Sequence, residues 1–175
     1  MPGQVVMWLD PRSIFTSLAS ALRKSKRGSR PSVVPSDKTL QRDRVKIVSI
    51  LLEDHDRSLI AEVSRQNRWD VFFARTCAEA CQVSAQIRPH VILVDRDLAD
   101  GDWRTSLYAC AASSSGACIM LISPVADDYL WNEVLSNGGY DVLAKPLRQQ
   151  DVLRAVKFAW SYLNSTRQTP ATARK

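Results

Sequence analysis

The sequence predicts an α/β domain in which a doubly wound, five-stranded parallel sheet carries helices on both faces. Three observations lead there. Short apolar runs recur between residues 45 and 164 and alternate with longer amphipathic stretches, the pattern of buried parallel strands joined by helices. Four of these runs stop at polar or charged residues: Ile47–Leu52 at Glu53-Asp54, His90–Val94 at Asp95, Ala117–Ile122 at Ser123, and Tyr140–Ala144 at Lys145-Pro146. Turn-forming residues such as Pro89, Ser113–Gly116 and Asn137-Gly138-Gly139 mark where the helices end.

Strand one covers about 45–52, and helix one, about 57–67, turns Leu59, Ile60 and Val63 inward. Strand two is Asp70–Ala74. Helix two opens on the capping box Thr76-Cys77-Ala78-Glu79 and ends before Pro89. Strand three is His90–Val94, and helix three spans about 103–112. Strand four is Ala117–Ile122. Helix four starts near Ala126, where Asp127 and Asp128 complement its dipole, and stops at Asn137-Gly138-Gly139. Strand five is Tyr140–Leu143. Helix five runs about 149–163 with Val152, Val156, Ala159 and Leu163 on one face. Right-handed crossovers place helices on both faces, and the expected strand order is 2-1-3-4-5, with the switch point between strands one and three.

The 175 residues allow one domain with extensions. The net charge of +6 is unevenly spread. Residues 1–44 carry nine basic and three acidic residues, residues 45–164 twelve and fifteen, and residues 165–175 three basic residues alone. A mildly acidic core thus stands between a basic extension (1–44) and a basic tail (165–175), both expected to be mostly disordered. Within the extension, 23–44 has the composition of a linker, and Ile14, Phe15, Leu18 and Leu22 fall near helical spacing. Basic ends suit solubilising tails better than nucleic-acid arms here, because aromatic interleaving is lacking.

No run approaches the roughly 20 apolar residues that span a bilayer, and Val5–Leu9 is too short for a signal-peptide core. The cytoplasm is the expected location. Cys77, Cys81, Cys110 and Cys118 lack CxxC spacing and paired histidines, so they read as small apolar fillers rather than a zinc site.

In a doubly wound sheet all strand carboxyl ends share one edge, where ligands bind. Glu53, Asp54, Asp95, Ser123 and Lys145 would meet there. Clustered carboxylates repel one another and call for a cation; Mg²⁺, a hard ion that keeps several waters, needs only a few protein oxygens. A carboxylate can attack phosphorus in line, and a lysine with a hydroxyl can receive the transferred oxygens.

The segments ILLEDHD (50–56), VILVDRDLADGDW (91–103), MLIS (120–123) and GGYDVLAKPL (138–147) resemble, in order, the motifs of response regulator receiver domains of two-component systems. The resemblance spans residues 45–164 and implies a flavodoxin-like fold of the chemotaxis-receiver type. It implies that Asp95 accepts the phosphoryl group and that Ser123 and Lys145 complete the catalytic set. Glu53, Asp54 and Asp95 would hold Mg²⁺ with the main-chain carbonyl of Asp97, Asp54 being the more direct ligand of the acidic pair. Four positions depart from the pattern. Glu53 replaces the commoner Asp, Ala99 replaces Pro, Pro124 follows Ser123 where a small residue is usual, and Val142 stands where an aromatic usually reports activation.

The resemblance implies a stand-alone switch rather than an enzyme in the ordinary sense. A histidine kinase or phosphotransfer protein would phosphorylate it. Output would pass to a protein target through the face of helix four, strand five and helix five, which could also form a homodimer. No DNA-binding domain is expected, since few residues follow helix five. The alternative is a phosphorylation-independent interaction module that keeps the fold, suggested by Pro124 and Val142. A flavodoxin-like hydrolase ranks last, for want of a Walker loop, a GxGxxG turn or a nucleophile–histidine pair. Read without the resemblance, Asp56 is as good a cap for helix one as Glu53-Asp54, and His55 and His90 are structural. Trp103 begins helix three near the site, a position from which it could shield it.

Overall fold

The computed structural model describes residues 44–168. The expected helix near Ile14–Leu22, most of the linker and residues 169–175 lie outside the described residues. The chain alternates β1 (Lys46–Ile50), α1 (Asp54–Asn67), β2 (Asp70–Ala74), α2 (Cys77–Ile87), β3 (Val91–Asp95), α3 (Trp103–Ser113), β4 (Cys118–Ser123), α4 (Asp128–Ser136), β5 (Asp141–Ala144) and α5 (Gln149–Gln168). All strand pairs are parallel, and the order is β2-β1-β3-β4-β5, as the sequence predicts.

Alternation along the central strands divides the core between two faces. Ile47, Val91, Leu93, Met120 and Ile122 pack with Ile60 and Val63 of α1 and Val152, Val156 and Ala159 of α5. Val48, Ile50, Ile92, Val94, Ile119 and Leu121 face the other way, against Ala80 of α2, Leu107 of α3 and Val134 of α4. β3 is buried along its whole length because helices cover both of its faces. Each fully buried aliphatic side chain contributes roughly 1.5–3 kcal/mol through its removal from water.

Local chemistry sets the helix ends. The Thr76 hydroxyl accepts the Glu79 N–H at 3.1 Å, and Glu79 Oε2 accepts the Arg75 N–H at 2.8 Å, the reciprocal bonds of a capping box. Asp127 Oδ1 accepts the Leu130 N–H at 2.8 Å to cap α4. After α4, Gly138 takes φ +85°, and a Cβ at Gly139 would overlap the Val134 side chain and lie 2.9 Å from its carbonyl oxygen. Glycine is required at Gly139 by close approach.

Several boundaries differ from the sequence reading: β3, β4 and β5 each start and end one residue later, α4 starts at Asp128, and the changes at β1, α1 and α5 are larger in effect. β1 ends at Ile50, where its pairing with Val94 stops, so the apolar Leu51 and Leu52 belong to the turn. α1 consequently starts at Asp54, three residues earlier than expected. α5 continues to Gln168 and absorbs the first residues assigned to the tail; the Ser165 and Thr166 hydroxyls bond back to carbonyls one turn earlier. Of the cysteines, Cys118 is a buried filler whose thiol burial pushes up to about 12. The other three gather between α2 and α3.

Candidate functional site

β3 delivers Asp95 as its last residue, with the carboxylate buried at the carboxyl edge of the sheet. β5 ends one residue before Lys145, whose peptide bond to Pro146 is cis. The Lys145 N–H donates to the Ser123 carbonyl at 2.9 Å, so β4 and β5 stay in register up to the site. From there Lys145 Nζ donates to Asp95 Oδ2 at 2.9 Å and to Glu53 Oε1 at 2.7 Å, and it lies 3.2 Å from Asp56 Oδ2.

One ammonium therefore faces three carboxylates. Burial on its own would lower the Lys145 pKa, but its hydrogen bonds to Glu53 and Asp95 and the charge of Asp95 outweigh it, and the group is held above the usual lysine range. Glu53 is displaced the other way: the hydrogen bond from Lys145 and its positive charge hold this carboxyl below the usual glutamate value. The nearby Arg57 gives no help to the cluster, since its guanidinium lies 4.8 Å over the Phe73 ring.

The structure brings Glu53, Asp95 and Lys145 together, and it adds a residue that the sequence reading treated only as a helix cap. Asp56 sits on the inward face of α1, one turn before Ile60 and two before Val63, and its side chain is 4% exposed. Its Oδ2 is buried yet accepts no hydrogen bond, and Oδ1 lies 3.5 Å from His55 Nδ1. Asp54, expected to be the more direct member of the acidic pair, is instead the exposed first residue of α1 and takes no part in these ion pairs. The reason is the earlier helix start: with α1 beginning at Asp54, helical spacing turns position 56 inward, toward Lys145. The signal for Asp56 was the 56, 60, 63 spacing of inward positions.

Ser123 is fully buried at the end of β4, on the pleat face opposite to Asp95's neighbours. Its Oγ accepts the Val125 N–H at 3.1 Å and Arg96 Nη1 at 3.5 Å. Arg96, which the sequence reading passed over, follows Asp95 directly and so points to that opposite face, while its own N–H donates to the Ile122 carbonyl at 2.8 Å. Asp97 is exposed; its N–H donates to Asp95 Oδ1 at 3.3 Å, and it forms an isolated bridge with Asp102. Asp102 caps α3 through the Arg104 N–H, and Trp103 is buried behind it in the core.

The donor set is all oxygen and carries more negative charge than one lysine balances. Asp56 Oδ2, buried and 3.2 Å from the Lys145 ammonium, accepts no hydrogen bond and so offers an oxygen that a cation could take. These features fit a hard divalent cation.

No model of a known protein family matches the chain, and no curated protein matches its sequence. Solved structures do. A two-component response regulator of Clostridium difficile superposes with a TM-score of 0.64 at 21% identity, over 69% of this chain and 99% of that one. The chemotaxis protein CheY4 of Vibrio cholerae gives 0.61 at 15%, over 66% and 98%. The signal receiver domain of an HD domain-containing protein of Pseudomonas fluorescens gives 0.64 at 21%, over 71% and 93%. The likeness is one of fold: the described residues have the architecture of signal receiver domains.

Proposed function

We propose that residues 45–164 act as a phosphoryl-accepting receiver, with Asp95 as the acceptor. The observation that carries this reading is a buried Asp95 carboxylate held 2.9 Å from the Lys145 ammonium, at the sheet edge where doubly wound folds bind ligands. A histidine kinase or phosphotransfer protein would be the donor. An Asp95 oxygen attacks phosphorus in line, and a P–O bond forms as the P–N bond to the imidazole breaks, its electron pair returning to the ring nitrogen. Glu53, Asp56 and Asp95, with the main-chain carbonyl of Asp97, would hold Mg²⁺. When bound, the ion neutralises charge and orients phosphoryl oxygens. Lys145 pairs with one of those oxygens and the Ser123 hydroxyl donates to another. The chain then works as a switch, not as a turnover catalyst, and its output face is α4–β5–α5, by which a partner or a second copy would read it.

The test is labelling with a small phosphodonor and Mg²⁺, read as mass. One phosphoryl group on the wild type and none on Asp95→Asn is the expected result; a label that survives the substitution moves the acceptor elsewhere. A second reading, a module that never takes phosphate, is favoured by two observations. Pro124 offers no N–H beside Ser123, and Val142 packs into the core where an aromatic relay would need a movable ring. An unlabelled wild type would favour it.

A further inference from the structure

We propose that Cys77, Cys81 and Cys110 form a three-sulfur site for a trivalent thiophilic metalloid of the arsenite and antimonite class. Their Sγ atoms all lie within 4.8 Å of one another, and each thiol is free. Cys77 and Cys81 stand one turn apart on the same face of α2, and Cys110 meets them from α3. The position of Cys77 is fixed twice. The Thr76 cap starts the helix there, and the Cys77 N–H donates to Asp100 Oδ2 at 2.8 Å.

Geometry and charge select the occupant. A trivalent arsenic or antimony centre keeps a lone pair and is pyramidal, so at bonds of about 2.3 Å its sulfurs stand about 3.5 Å apart. A triad whose sulfurs lie within 4.8 Å contracts by up to about 1.3 Å to hold it. Cys77 and Cys81 are partly exposed and Cys110 is buried, which gives the ion an open side to enter and an inner sulfur to close on. Zinc in structural sites takes four ligands. Among the described residues no fourth His, Cys, Asp or Glu joins this group. The surroundings are apolar, with Ala80, Val83, Leu107 and Ala111 in the same cluster. Three thiolates around a divalent ion would leave a net negative charge there, whereas around a trivalent centre they leave none.

The exchange balances without an oxidant or reductant. As(OH)₃ and three thiols give As(SR)₃ and three waters; three As–O bonds are replaced by three As–S bonds, and each thiol proton leaves on a hydroxide. Arsenic stays trivalent and sulfur stays reduced. The product staples α2 to α3.

The test uses the full chain, kept reduced by a phosphine, and titrates it with sodium arsenite and, in parallel, zinc chloride. Native mass spectrometry should show a single arsenic with three protons lost, and a thiol assay should find one reactive cysteine left of four. X-ray absorption should report a three-sulfur shell. Cys118→Ala, remote in β4, should keep the adduct. Cys77→Ser and Cys81→Ser, both at partly exposed positions and checked for folding by circular dichroism, should each lose the three-sulfur form. No arsenic adduct on the wild type, an undiminished three-proton adduct on either serine variant, or zinc bound in place of arsenite would each overturn the assignment.

Discussion

Lys145 and Asp95, fifty positions apart in the chain, meet at 2.9 Å, and Glu53 from the β1–α1 turn and Asp56 from the first turn of α1 close on the same ammonium. Such a cluster holds together with one cation and would hold better with two.

Divalent cations should therefore stabilise the fold. An ion at about a hundred times its Kd adds about 2.7 kcal/mol by mass action, enough to raise Tm by several degrees in a domain of this size. Wild type should show that rise with Mg²⁺ in a thermal-shift assay, and Asp56→Asn and Asp95→Asn should show little or none. A full response from Asp56→Asn would remove that residue from the cation site.

The acid limb of stability should pass through Glu53. Its folded-state pKa lies below the ordinary 4.5, so its pairing with Lys145 contributes fully above that pH and is lost as pH falls through the folded value. Lys145→Met should return the Glu53 carboxyl toward 4.5 in a ¹³C NMR titration. The stability gap between wild type and variant in urea should be widest near neutrality and narrow in acid. At the other end, Lys145 titrates above its ordinary 10.5, so its own share persists below that pH and is lost only as pH climbs past the folded value.

Gly139→Ala should be costly. The added methyl would overlap Val134, a buried residue of α4, and the chain must shift to admit it. Overpacking of this kind costs about 1–3 kcal/mol, measurable by urea unfolding. An unchanged midpoint would show that the α4–β5 connection yields freely.

Thr76→Ala should remove the acceptor for the Glu79 N–H and destabilise by about 1 kcal/mol, with Thr76→Ser close to wild type. Equal losses in both variants would trace the effect to the threonine methyl instead of the cap.

The strands were legible because each apolar run ends in a residue of different chemistry, and periodicity then fixes which side chains face which layer. The same rule misjudged β1. Leu51 and Leu52 extended the run, but a sheet ends where pairing ends, and Val94 offers Ile50 the last partner. That two-residue error displaced the start of α1 and hid Asp56, which only a helix beginning at Asp54 turns inward. The cysteine triad was illegible for another reason. Two of its members share a helix, but the third comes from an element whose packing partner no local pattern names.

Ser123 is placed with an unusual economy of means. Its oxygen already receives the Val125 N–H and the Arg96 guanidinium, which engages both lone pairs. What the hydroxyl retains is its proton, so any new neighbour it binds must be an acceptor. A buried alcohol prepared in this way discriminates against a donor-only ammonium and welcomes an oxyanion, before any rearrangement of the loop that carries it.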